Sequence, residues 1–420
     1  FFFEALAKDQ RERAIGVILS GSATDGTLGL EAIKAEGGLT FAQDDSARYD
    51  SMPRSAAAAG CVDFVLSPEN IARELARIAK HPYVSGRAQS SRPTNGRKAP
   101  RAPGDESPLP SRGRRAALAN GWGRVSGAAG TESGREDDPG ENGYKKILLL
   151  LRNHSGVDFA LYKSTTILRR IMRRTVLNRR ETLATYADFL RGNAKELDAL
   201  YSDALISVTS FFRNAEAFDV LRHRVFPKLL QQRTDEPLRI WVLGCSTGQE
   251  AYSMAMAFAE AAEKFPRARK LQVFDPDLNE ANLEKARHGF YAKSLAQDVS
   301  PERLRRFFTE EEGGYRVIKA LREQVVFARQ NVISDPPFSR MDLISCRNLM
   351  IYLEPGLQKK VLPTFHYALK PEGFLFLGAS ESVGSFTDLF APMDKKQKIF
   401  SRKTALEDQI QYKIGRAACR

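Results

Sequence analysis

Cysteine is scarce in this 420-residue chain: Cys61, Cys245, Cys346 and Cys419 are scattered and form no CxxC pair. That argues against a disulfide framework and a zinc site, and it fits a reducing, cytoplasmic setting. Long apolar runs are also missing. The longest, Ile147-Leu148-Leu149-Leu150-Leu151, falls far short of the roughly 18 residues of a membrane span. The chain opens Phe1-Phe2-Phe3-Glu4, with no basic n-region and no cleavage site, so no signal peptide is read here. With no initiator Met, it is treated as a fragment. What is present is a soluble, globular composition, 42% hydrophobic and 27% charged, in a chain long enough for two to three domains. The net charge of +13 implies acidic partners; nucleic acid, anionic lipid and an acidic protein surface all satisfy it.

Residues 1–83 read as an α/β fragment. Ala14-Ile15-Gly16-Val17-Ile18-Leu19 has the pattern of a buried strand, the stretch around Leu28–Ile33 that of a helix, and Leu39-Thr40-Phe41-Ala42 that of a second strand, an order that implies a parallel sheet. Residues 84–142 are dominated by Gly, Pro, Ser and Arg and are expected to form a disordered linker, because they bury too little apolar surface to offset ordering. Residues 143–215 are expected to be helical, with apolar residues at Ile167, Leu168, Ile171, Met172 and at Leu183, Tyr186, Phe189, Leu190. Residues 216–403 return to α/β, with strands expected at Leu238–Leu243, Lys270–Phe274, Val325–Ala328, Met341–Ser345 and Gly373–Gly378, and a sixth, Gln397–Ser401, closing the sheet. The tail 404–420 has no assigned role.

Arg239-Ile240-Trp241-Val242-Leu243 leads into Gly244-Cys245-Ser246-Thr247-Gly248-Gln249-Glu250 and then a long helix. A strand, a glycine turn and a helix form the first unit of a nucleotide-binding domain. The glycines let backbone approach a ligand, and Glu250 supplies a carboxylate near a bound cation. The spacing is not GxGxxG and no Walker lysine follows, which argues against a phosphate cradle. The next strand ends Asp275-Pro276-Asp277, where an acid would hold a ribose diol; a helix N-cap at Asp277 is the alternative.

Together with Thr209-Ser210-Phe211-Phe212-Arg213 and Cys346-Arg347-Asn348-Leu349-Met350-Ile351-Tyr352, this loop makes roughly residues 145–403 resemble the chemotaxis receptor methyltransferase (CheR) family. Residues 1–80 separately resemble the C-terminal part of the partner methylesterase family (CheB), through Ser20–Gly26 and Met52-Pro53-Arg54. The resemblance implies a Rossmann-like S-adenosylmethionine methyltransferase domain, preceded by a small all-α domain and a truncated α/β methylesterase fragment. It implies cofactor contacts at Ser207, Thr209, Arg213, Glu250, Asp277, Asn331, Val332, Cys346 and Arg347. Ser207 stands where the family often has Asn, and Asn279 replaces the second acid of its usual Asp-x-Asp. An ungapped match through Leu283–Arg287 puts Asp277 rather than Asp275 on the ribose. The segment Phe307–Arg322 is expected to form the family's small receptor-docking insert.

The implied reaction methylates glutamate side chains of chemoreceptors. A carboxylate (pKa near about 4.3) is already anionic at neutral pH, so positioning and removal of water matter more than a general base. Arg213 and Tyr352 are the candidates for orienting it. Between Lys145 and Arg180 ten basic residues face one acid, Asp158. Arg169/Arg173 and Arg170/Arg174 are i, i+4 pairs on one helix face, expected to bind the acidic, Glu-rich helices of a receptor rather than nucleic acid, with no membrane insertion. Of the esterase triad only Asp25 is matched; residues 1–80 contain no His, and no esterase activity is expected of them. Two rival readings remain: a non-catalytic module that senses S-adenosylmethionine or receptor, and a nucleic-acid methyltransferase suggested by Asp335-Pro336-Pro337-Phe338, which precedes rather than follows the fourth strand.

Overall fold

The computed structural model describes residues 1–22, 26–81, 139–232, 234–293 and 298–403. Asp25, nearly all of the expected linker and the tail lie outside the described residues.

The N-terminal module has three parallel strands, β1 (Ile15–Ile18), β2 (Leu39–Gln43) and β3 (Phe64–Leu66), in the order β1-β2-β3. Four helices accompany them: α1 (Phe2–Gln10), α2 (Thr27–Ala35), α3 (Ser51–Ala58) and α4 (Pro68–Ile78). Three short strands by themselves form a small sheet with open edges. The module nevertheless has a core, in which α2 packs Leu30 and Ile33 inward and Phe41 stacks on Phe64 at 4.9 Å. The physical reason lies next door: Val176 and Leu177 of the basic helix Ser164–Leu177 join Leu39, Phe41, Ile71 and Ile78 in one apolar cluster. The helical domain therefore completes the second of the module's two apolar clusters, the first being made of its own residues.

That domain comprises helices Pro139–Ser155, Ser164–Leu177, Leu183–Leu190 and Ala194–Ala204, packed around Ile147, Leu151, Ile167, Ile171, Tyr186 and Leu200. Its short helices start where side chains satisfy free backbone N–H groups. Thr182 and Thr185 form a capping box, and the Asn193 side chain accepts from Glu196 N at 3.2 Å.

The third unit is a seven-stranded sheet with the order β12-β13-β11-β10-β4-β5-β9. Its strands are β4 (Leu238–Val242), β5 (Leu271–Asp277), β9 (Val325–Arg329), β10 (Met341–Cys346), β11 (Leu369–Leu377), β12 (Phe390–Asp394) and β13 (Ile399–Arg402). All pair in parallel except β13, which runs antiparallel to β11 and β12. The five main strands stand at the expected places. The expected last strand does not close the sheet, because β12 adds outside β13. Every residue of the central β10 is buried, as a parallel strand covered on both faces requires. Chain order reverses between β4 and β10, so a ligand crevice is expected at their carboxyl ends. A small antiparallel sheet, β6 (Phe290–Ala292), β7 (Phe308–Glu311) and β8 (Gly314–Val317), inserts between β5 and β9 and occupies much of the expected docking insert.

Candidate active site

A cleft opens at that switch point. Tyr162, Thr166 and Ile167 wall it from the helical domain, residues 204–209 and Arg213 from the connector. Gly244 and Ser246 come from the loop after β4, Glu250 from the first turn of the helix Gln249–Ala262 that follows it, Asp277 from the end of β5, Val332 from the loop after β9, and Arg347, Asn348 and Tyr352 from the segment after β10. Of the residues expected here, Ser207, Thr209, Arg213, Glu250, Asp277, Val332, Arg347 and Tyr352 line it together.

The loop after β4 needs its glycines. Gly244 and Gly248 have φ of +76° and +90°, and a Cβ on Gly248 would lie 2.9 Å from Cβ of Ala286. Asp277 presents its carboxylate by accepting from Ser246 N and Asn279 N, each at 2.8 Å. The helix that follows is capped by Asn279, whose side chain accepts from Asn282 N at 3.3 Å, so Asp277 does not act as the cap. Burial raises the Asp277 pKa, and the backbone donors at Asn279 and Ser246 oppose that rise. Two residues back, Asp275 is fully buried; no N–H or O–H among the described residues reaches its oxygens, and the Cys245 thiol lies against it. Desolvation pushes its pKa well above the carboxylate range, with the charges of Glu250 and Asp277 acting the same way.

Glu250 is already compensated. Ser345 Oγ donates to it at 2.6 Å and Arg347 Nη1 at 3.1 Å. The Arg347 guanidinium, 2% exposed, also donates to the backbone carbonyl of Arg213 at 2.5 Å and lies 4.6 Å above the Phe376 ring. Arg213 sits beside the buried pair Phe211 and Phe212, as expected, and its guanidinium donates to Val208 O at 3.3 Å. Tyr352 is half-buried on a 3-10 turn, and burial raises its phenol pKa.

Three expectations need correction, and one rival reading falls. Cys346 is fully buried at the end of β10 and does not line the cleft. Asn331 uses its side-chain oxygen on Ile333 N at 3.0 Å, shaping its own loop, and does not line the cleft either. Arg173 is 1% exposed, paired with Asp63 and, at 2.6 Å, with Asp203; Arg174 is held bidentately by Glu196. Neither is an open substrate surface. Asp335-Pro336-Pro337-Phe338 leads into the start of β10, and Phe338 packs on Trp241 at 5.4 Å and Phe274 at 4.8 Å, which makes it a core anchor rather than a base reader. Sequence reasoning also missed Glu381. Its buried carboxylate accepts from Gly378 N, Asn348 N and Met350 N at 2.7 to 2.9 Å and so fixes the segment that carries Tyr352. A glutamate three residues past a strand-end glycine was the available signal.

Residues 207–399 match the CheR methyltransferase, SAM binding domain, and residues 142–205 match the CheR methyltransferase, all-alpha domain. A chemotaxis protein methyltransferase of Listeria monocytogenes is 31% identical over 243 residues, 58% of this chain and 91% of that protein. The chain belongs to the CheR methyltransferase family. A second CheR relative, the chemotaxis protein methyltransferase of Salmonella typhimurium, is 31% identical over 259 residues, covering 59% of this chain and 86% of its own length. Residues 1–75 match the CheB methylesterase model, so the chain joins a CheB segment to a CheR unit. An uncharacterized 104.1 kDa protein of Rhodobacter capsulatus is 37% identical over 401 residues; this covers 95% of the present chain, which spans only 40% of that protein's length. The cofactor of the CheR unit is S-adenosylmethionine. The cleft fits it: two left-handed glycines leave room for a ligand against backbone, and one carboxylate, Asp277, stands at the end of the second strand where a ribose diol is held.

Proposed function

We propose that the CheR unit transfers the methyl group of S-adenosylmethionine to glutamate side chains of chemoreceptors, forming methyl esters. The observation that carries this reading is the placement of Arg213 and Tyr352 in one cleft with Asp277 and the glycine loop. The cofactor supplies an electrophilic methyl on a sulfonium. The acceptor carboxylate is anionic at neutral pH, so no residue has to remove a proton. Arg213 holds one carboxylate oxygen through its guanidinium. Tyr352 remains protonated, because burial raises its pKa, and donates a hydrogen bond. Tyr162, Ile167, Val332 and Leu349 give the cleft apolar walls that exclude water and strengthen these contacts. Asp277, Ser207 and Thr209 bind the cofactor, and Glu250 contributes through its tie to Arg347. Transfer of labelled methyl to a receptor cytoplasmic fragment, with label released by mild base, tests the reading; label that is stable to base would overturn the ester assignment.

The CheB segment by itself supplies no esterase. Its one histidine among the described residues, His81, lies at the domain boundary with Nε2 2.8 Å from the Arg180 carbonyl. Methanol release from glutamyl methyl esters should stay at background, and release that Asp25→Ala abolishes would contradict this.

A further inference from the structure

The CheB segment rests on the CheR unit at a particular place. Arg170 donates to the carbonyls of Lys34, at 2.7 Å, and of Ala35, the last residues of α2. Arg173 Nε donates to Gly38 O at 3.0 Å. Arg169 Nη1 lies 3.7 Å from Glu36 and 3.8 Å from Glu12. A helix C-terminus carries the negative end of the backbone dipole, so three arginines here meet an acidic knob made of carbonyls and two carboxylates.

This contact lies one helical turn from residues that line the cleft. Thr166 and Ile167, one turn before Arg169 and Arg170 on the same helix, line the cleft. The Tyr352 phenol lies in the combined field of Arg170, Arg213 and Glu36. One turn back along α2, Glu31 lies in the field of Lys285, on the helix whose Asn282 donates to Ser207 at 2.6 Å on the far wall. α2 thus lies beside the cleft, with its C-terminal end held by the helix that supplies Thr166 and Ile167. An incoming receptor helix brings the same chemistry to the same place: a glutamate carboxylate, flanked by acids, that needs arginines beside the cleft.

We propose that residues 27–38 of the CheB segment are a cis-acting cover over the acceptor face, with Glu36 standing where an acidic receptor helix must enter, so that receptor and CheB segment compete for Arg169 and Arg170. The proposal rests on the acceptor being a receptor glutamate. Glu36 is held loosely for such a role: its side chain is 42% exposed and its ion pair is long. Exposed pairs of this kind are weak, so a helix bringing several carboxylates displaces it. The firm attachment lies further along, at Arg173 and Asp63, which tethers the segment while its acidic end opens.

The full chain with Glu12→Lys and Glu36→Lys tests this, read by methyl transfer to a receptor cytoplasmic fragment and by calorimetric affinity for the same fragment. Both should rise about fivefold, the order set by two exposed ion pairs, with S-adenosylmethionine affinity unchanged. Glu69→Lys, a single charge reversal of the same kind on α4, should leave both as they are, and Glu36→Gln should give a smaller rise. Amide exchange of residues 34–38 in the unmodified chain gives a second reading. Adding the receptor fragment should speed it if the cover is displaced. Unchanged affinity in the double variant, or slower exchange on adding the fragment, would overturn the proposal. If fragment binding rises while no methyl is transferred by either protein, the cover stands and the methyl-transfer reading falls.

Discussion

Two sets of arginines in this chain look alike in sequence and differ in what they face. Those of the basic helix, Arg170, Arg173 and Arg174, are absorbed by carbonyls and carboxylates of the CheB segment and of their own helical domain. Arg213, an isolated arginine after two phenylalanines, faces the cleft and spends its one named hydrogen bond on a backbone carbonyl 3.3 Å away. The density of charge along a chain therefore says little about where a charged substrate binds. Ten basic residues in a stretch point to acidic partners, and here most of those partners belong to the chain itself.

The largest effect expected from breaking this contrast is at Arg173. Arg173→Leu removes the buried cation between Asp63 and Asp203 and leaves them only longer contacts, to Lys34 at 3.8 Å and Arg174 at 3.6 Å; losing one side of a buried pair costs about 3–5 kcal/mol, which urea unfolding should show, with little change in cofactor affinity. Arg213→Lys should leave stability alone and lower kcat and kcat/KM together by about 10- to 100-fold, the value of a charge-assisted hydrogen bond made in the transition state. Wild-type kcat at saturating cofactor and receptor would remove Arg213 from the reaction. The acids of β5 sharpen the same contrast between a residue that faces a ligand and one that does not. Asp277→Ala should weaken S-adenosylmethionine binding by more than about tenfold in calorimetry, since two charge-assisted bonds to a diol are lost. Unchanged affinity would shift the ribose assignment.

The smallest effect concerns Asp275. Its folded pKa is raised, so its contribution to stability is complete below the unfolded value near about 4 and is lost as pH rises through the folded value. Asp275→Asn carries no charge to desolvate. The variant should gain on the parent as pH rises, read as melting temperatures that diverge between pH 5 and 9. Parallel melting profiles for the two proteins would show that the folded pKa of Asp275 is not raised above its unfolded value.

Much of the catalytic unit was legible in sequence, because its parallel strands are short apolar runs that end in loops of distinctive composition. Leu238–Val242 and Met341–Cys346 lie within a residue of where their hydrophobicity placed them. The small sheet and β12 were not read, because Phe290–Ala292 and Phe390–Asp394 have neither the length nor the alternation that marks a strand. At the site, expected residues at loop ends were found lining the cleft. Cys346 and Asn331 were not, since a motif fixes where the chain passes and not which side chains turn toward the cleft. The basic helix was misread for a different reason. Ile167 and Ile171 mark one buried face, but nothing local to the helix announces that its opposite face meets a module from more than a hundred residues upstream.

Arg347 touches both halves of the reaction. It donates to Glu250, in the first helical turn after the loop that receives the cofactor, and to the main chain of Arg213, on the acceptor side. Whatever settles Glu250 settles the backbone from which Arg213 reaches out. The consequence is a coupling between the two seats through one guanidinium. By reciprocity, whatever factor a bound donor lends to the acceptor's affinity, the acceptor returns to the donor.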